Sequence, residues 1–292
     1  MRPGGTPCLH RALILSHRAS AELRLSMRPY CFVTVDAETD AIETGIKVIA
    51  ELRELVEHRE SIRIPLTWFV RFQRHWNDYL DADVAAFERP VTSGYDGFTL
   101  AREQLVAMIA RGDEIGWHYH AYNWVSRDDL SPAMRLAILR ADLASCWREL
   151  RTRHPDLPIE SFRFGWFFVP DYAIYRDLAE FGLTRDASID PGCVGRPVAS
   201  SSASFLGPLV TEPKKFEGLT LFPRSETIVL HDWTVVAHDF GWSRADEQQA
   251  FANRLQFIAD VGLIAARLKR DAGEFQTYEM AQRSISEGMG AA

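Results

Sequence analysis

A chain of 292 residues with 47% hydrophobic content has material for one large core, whether a single α/β barrel of about 250 residues or two ordinary domains. A net charge of −7 and a pI near 5.7 argue against a surface that coats nucleic acid, although a local arginine cluster would still suit a phosphorylated substrate. No apolar run approaches the roughly 18 residues that a membrane span requires. The four cysteines, Cys8, Cys31, Cys146 and Cys193, form no CxxC pair, and Cys31 and Cys146 fall on apolar-patterned core positions. This usage reads as a reducing, cytoplasmic setting without disulfides.

Residues 1–27 read as an arginine-rich, disordered extension. Its apolar core, Ala12-Leu13-Ile14-Leu15, is shorter than the roughly 7–15 residues of a secretory h-region. Met27 as the true start of the protein is the expectation preferred to a transit peptide. A single domain is expected over 28–285. Its first strand, Tyr30-Cys31-Phe32-Val33-Thr34-Val35, ends in the acids Asp36, Glu38 and Asp40. A helix is expected over 40–58, capped by Thr39 or Asp40, then a strand over 61–71 and an irregular aromatic stretch over 72–97. A second helix, capped by Thr99 and stopped by Gly112, leads to a strand over 114–118. Ser131-Pro132 opens a long helix, with serine as cap and proline in the first turn. Strands over 161–164 and 183–189 flank a helix near 170–181. The serine-rich 199–204 reads as an exposed loop, strand-like runs resume at 219–223 and 227–238, and a helix over 244–270 precedes a last strand over 274–277. Alternating strands and helices without a composition break indicate α/β architecture: a distorted barrel of seven to eight mostly parallel strands.

Side chains two apart on a strand share a face, so Asp36 pairs with Glu38 and His118 with His120 at two strand ends. In a parallel barrel such ends converge on one rim. One carboxylate and two imidazoles with an open position suit Zn²⁺, Mn²⁺ or Co²⁺. Read singly, Asp40 is as well explained as a helix cap, a reading that suits Asp36 and Glu38 less because the chain supplies them partners, and each histidine is as well explained as a structural residue. His231 and His238 each end an apolar run in His-Asp, and either suits a general acid near neutrality.

Thr34-Val35-Asp36-Ala37-Glu38, the stretch 114–120, Ser161-Phe162-Arg163-Phe164-Gly165 and Asp186-Ala187-Ser188-Ile189-Asp190-Pro191-Gly192 resemble, in order, the motifs of the NodB-homology polysaccharide deacetylases. The resemblance spans about 30 to 282 and implies metal-assisted removal of N-acetyl or N-formyl groups from sugars. By position it makes Asp36 the general base, Glu38 and His118 metal ligands, Arg163 the residue orienting the catalytic acid, and His231 the terminal acid, with His238 as runner-up. The usual second histidine position holds Tyr122, and His120 stands in for it by geometry. Trp124 and Trp166 are candidates to stack on sugar rings, whereas Trp117, Tyr119 and Phe167 read as core. An amino sugar, small or carried on a nucleotide or lipid, is the expected substrate. Arg71 and Arg74 read as solvated, although with Arg163 they would suit a phosphate. A metal-independent amidohydrolase and a silent glycan binder remain the alternatives.

Overall fold

A computed structural model describes residues 30–73, 95–121, 131–165, 169, 171–189, 213–223, 227–239 and 244–290. In chain order the elements are β1 Tyr30–Ala37, α1 Ile42–Glu60, β2 Thr67–Gln73, β3 Tyr95–Asp96, α2 Gly97–Leu100, α3 Arg102–Arg111 and β4 Glu114–Tyr119. Then come α4 Pro132–Arg153, β5 Ser161–Phe164, α5 Ile174–Glu180, β6 Arg185–Ile189, β7 Lys214–Phe216, β8 Leu219–Pro223 and β9 Thr227–His231. The last are β10 His238–Asp239, β11 Arg244–Ala245, α6 Glu247–Arg270, β12 Glu274–Phe275 and α7 Tyr278–Gly290.

Strands β1, β2, β4, β5, β6 and β8 pair in that order, all parallel, and β12 and β9 both join β1 in parallel. The sheet is curled. At about 4.8 Å per strand a flat sheet would hold β1 and β8 about 24 Å apart. Instead the rings of Phe32 on β1 and Phe222 on β8 meet with centroids 5.7 Å apart. Among the described residues no pairing joins β8 to β9.

Period-two alternation sorts the strands onto two faces. Outward residues such as Val35, Trp68, Val70, Trp117 and Phe162 pack with Ile46, Leu105, Leu143 and Val261 of the helices in the main core. Inward residues Phe32, Phe69, Ala187 and Phe222 form a second core with Tyr278 and Ala281 of α7. Gly116 of β4 leaves room for Phe69, since a Cβ there would stand 2.7 Å from its ring.

Several sequence signals hold. Ser131 Oγ accepts from Met134 N, and Gly112 ends α3 with φ +93°, a conformation that glycine adopts without Cβ strain. Other expectations are corrected. Asp40 does not cap α1; Thr39 Oγ1 accepts from Ala41 N. Asp96, not Thr99, caps α2, accepting from Thr99 N. Strand β2 begins at Thr67, because Ile64 N and Leu66 N donate to the side chains of Glu57 and Asp113 rather than to a neighbouring strand. The run 227–238 breaks at His231 into a 3-10 turn, Asp232–Val235, where Thr234 Oγ1 donates back to His231 O. Helix α7 carried no expectation. Its inward stripe is short, Tyr278, Ala281 and the partly buried Ile285 at helical spacing.

Candidate metal centre

Parallel pairing gathers the strand ends, and register decides which side chains meet. Asp36 on β1 lies opposite His231 on β9, and His118 on β4 lies between Arg71 on β2 and Arg163 on β5. All belong to the inward set, and Glu38 and His120 extend it by one period.

Glu38 Oε2 lies 3.2 Å from His118 Nε2 and 2.8 Å from His120 Nε2, and the two nitrogens are 3.0 Å apart. The three side chains form a group able to hold a metal ion. A tetrahedral cation with bonds near 2.0–2.2 Å sets its ligands about 3.4 Å apart, so these donor atoms already have nearly the required spacing. Three lone pairs facing one another also repel unless a cation or a proton lies among them. Burial would raise the Glu38 carboxyl, but the His120 charge and hydrogen bonds from both histidines hold it well below the ordinary range. Burial lowers the His118 imidazole against the opposing pull of Asp36 and Glu38, favouring the neutral ring that a metal needs. His118 Nδ1 is buried and has no hydrogen-bond partner among the described residues. The donor set therefore fits a small divalent cation such as zinc, manganese or cobalt, without selecting among them.

Asp36 stands beside this group and is held by Arg163, whose Nη1 donates to Asp36 Oδ1 at 2.7 Å and to Thr34 Oγ1 at 2.9 Å. Arg163 is 0% exposed. Its Nε donates to Ala187 O at 3.3 Å, its Nη2 donates to Tyr278 Oη at 3.2 Å, and its guanidinium lies 4.0 Å from the centre of the Phe69 ring. These contacts leave the guanidinium one orientation. Burial would raise the Asp36 carboxyl, yet Arg163, then His118 and His231, bring it below its usual value.

Asp232 anchors the loop that carries Glu38. Its carboxylate accepts from Glu38 N at 3.2 Å, Thr39 N at 3.3 Å and Thr39 Oγ1 at 2.8 Å. A Cβ on Gly45 would overlap the Asp232 carbonyl, so α1 lies directly against this turn. Burial and the neighbouring Glu38 charge push the Asp232 carboxyl up to about 7. A Cβ on Gly165 would likewise overlap the His120 ring.

His231 Nε2 lies 3.8 Å from Glu38 Oε1, and its side chain is 27% exposed. His238 is one ring further out: Trp233 contacts both imidazoles at 5.2 Å, and His238 Nδ1 is 3.0 Å from Val236 O. The structure thus brings together Asp36, Glu38, His118, His120, Arg163 and His231, with His238 outside the group. Arg71 is corrected. It is not solvated but 3% exposed, with Nη1 3.9 Å from Glu38 Oε2 and Nε donating to Gln73 Oε1 at 2.8 Å. Its inward parity with Thr67 and Phe69 was the available signal; the strand expected from 61 obscured it. The sequence gives no sign of Asp232 or Tyr278, since nothing local marks an acid or a phenol that works across about 190 or 110 residues of chain. Tyr122, Trp124, Trp166, Phe167, Arg74, Cys8, Cys193, the 199–204 loop and the extension 1–27 lie outside the described residues.

No family model and no curated protein matches the chain. Among solved structures the chain is similar to the peptidoglycan deacetylase PdaC of Bacillus subtilis, in a mutant form. That likeness covers 91% of this chain and 99% of the other at 11% identity with a TM-score of 0.40, too loose to add to what the site itself says.

Proposed function

We propose that this chain is a metal-dependent hydrolase that removes an N-acyl group, acetyl or formyl, from an amino sugar or glycoconjugate. The observation that carries the reading is the convergence of Glu38, His118 and His120 beside an Asp36 fixed by Arg163. The sugar itself rests on the motif resemblance alone. Glu38, His118 and His120 are the residues that would hold the cation. A divalent ion bound there supplies Lewis acidity, polarising a carbonyl and acidifying a water.

The chain's own groups supply the rest. Asp36 accepts the proton of the attacking water, and the Arg163 contact keeps it ionised and aimed. As the acyl C–N bond breaks, His231 gives a proton to the departing nitrogen. The proton held by Asp36 then restores the histidine through solvent. His231 lies 3.8 Å from Glu38 and His238 on the far side of the Trp233 contact, so the role is assigned to His231.

The test is elemental analysis of protein stripped with chelator and reconstituted with zinc, manganese or cobalt, alongside acetate release from N-acetylated chito-oligosaccharides. About one ion per chain, absent in His120→Ala, with acetate release absent in Asp36→Asn, is expected. A reconstituted protein that binds no ion sinks the mechanism. An ion without release from any N-acyl sugar removes the substrate class and keeps the centre.

A further inference from the structure

The long helix α6 carries a row of side chains spaced by four: Glu247, Phe251, Leu255, Ala259, Leu263 and Arg267. Its opposite face, including Phe257, Val261, Ala265 and Leu268, is buried in the main core. Along the row Phe251 is 57% exposed, Leu255 51% and Leu263 74%, and Ala259 is exposed as well. Large apolar side chains lying singly at a surface mean little, but here three follow one helical ridge, with the exposed Gln256–Asp260 pair alongside.

We propose that this ridge is an interface with a second copy of the same chain, the two α6 helices packing antiparallel about a two-fold axis. The argument is charge and shape complementarity. Ridges formed by residues four apart interdigitate when helices cross at about −50°, the commonest packing class. An antiparallel register that sets Phe251 against Leu263 of the second copy also sets Leu255 against Ala259, where the small methyl admits the leucine. The same register brings Glu247 of each copy to Arg267 of the other at the diverging ends, where two long side chains span the widening gap and Arg267 exchanges its 3.8 Å contact with Asp271 for the new partner. No other two-fold register of this ridge satisfies its apolar and its charged positions together. A parallel arrangement would oppose like charges at both ends. A two-fold contact is isologous, so each complementary pair occurs twice. The contact is one helix wide and belongs at the weaker end of specific interfaces. It leaves the rim with Glu38, His118 and His120 on separate elements, so each copy keeps a complete metal centre.

Sedimentation equilibrium of the full chain at concentrations up to about 100 µM tests this, in the weak range expected of a small interface. The expected result is a concentration-dependent dimer, weakened about 100-fold by Leu255→Asp or Leu263→Asp. Glu247→Arg or Arg267→Glu alone should weaken it about tenfold, and the two reversals together should restore it. Unchanged circular dichroism and metal content mark the variants as folded, and all the substituted positions are surface ones. A chain that stays monomeric throughout overturns the proposal. So does a dimer that ignores both leucine substitutions, or one that the double reversal fails to restore.

Discussion

The inner face of the sheet holds two buried clusters of charge, one at each end of the same strands. At the base, Glu114 Oε1 accepts from Arg185 Nε at 3.0 Å and from Ser161 Oγ, while Glu114 Oε2 accepts from Thr67 Oγ1 and Glu279 N at 3.1 Å each. Arg185 is satisfied further by Gln282 Oε1 and Glu160 Oε2. Each oxygen of the carboxylate thus meets a donor. At the rim, Glu38 instead faces two imidazole nitrogens that also face each other, and His118 Nδ1 finds no partner among the described residues. Burial and charge are alike in the two clusters. They differ in how donors match acceptors: the base is complete as protein, and the rim sets three acceptor atoms together with room for a cation or a proton among them. A buried charge by itself is weak evidence of function, and a mismatch of donors and acceptors is stronger.

The sharpest way to break the comparison is to remove Asp36, the proposed base at the rim. Asp36→Asn should lower turnover by about 10³–10⁴-fold while metal content stays near wild type. An active Asp36→Asn variant would reassign the base. At the other end, Arg185→Ala strands the Glu114 charge and should cost about 3–5 kcal/mol in urea unfolding, with metal stoichiometry unchanged in whatever remains folded. If Arg185→Ala instead lost the ion and kept its stability, the two ends would have exchanged roles.

A third buried acid separates burial from pairing. Asp186 points to the outer face and is held by Ser188 N, Ser188 Oγ and Tyr175 Oη, neutral donors only. Burial dominates and pushes its carboxyl up to about 6, whereas Arg163 brings Asp36 down. Because the folded Asp186 holds its proton to a higher pH than the unfolded one, its contribution is fully present below about pH 4 and lost as pH rises through 6. Relative to wild type, Asp186→Asn should gain about 2 kcal/mol between pH 4.5 and 7, read as the difference between their urea midpoints. A pH-independent difference would mean that the acid is ionised throughout.

The smallest effect belongs to the clamp. Tyr278→Phe keeps the ring packing on Phe32 and Phe222 and removes only the hydroxyl that accepts from Arg163. It should cost about 1 kcal/mol of stability and lower kcat several-fold with KM little changed, because Asp36 would be aimed less firmly while the groups that meet the substrate stay in place. A change confined to KM would place Tyr278 in substrate binding instead.

Much of the arrangement was legible beforehand. Alternation alone placed Asp36 with Glu38 and His118 with His120 on shared faces, and alternating strands and helices implied a parallel sheet whose ends converge. Ser131-Pro132 and Gly112 marked helix ends because their signals are local: a side-chain oxygen for a free N–H, and a φ that only glycine takes easily. Where local signals competed, tertiary contacts decided. Thr99 and Asp40 looked like caps, but Asp96 caps α2 from three residues away and α1 starts after Ala41 without a side-chain cap. Strand β2 started late because the half-buried Glu57 and the buried Asp113 took the N–H groups of Ile64 and Leu66.

Residue spacing along single strands therefore determined the pairs and the face each occupies, since those follow from backbone geometry within a few residues. Tertiary structure alone decided which pairs meet. Parallel register set Asp36 against His231 and Arg71 against His118, and the curl of the sheet carried Arg163 across to Asp36. It also buried Arg71, which in isolation reads as a surface charge. Docking of α7 brought Tyr278 beneath Arg163, and the 3-10 turn brought Asp232 beneath Glu38. These contacts join residues far apart in the chain, and no local pattern encodes them because their energy exists only once the core has closed around them.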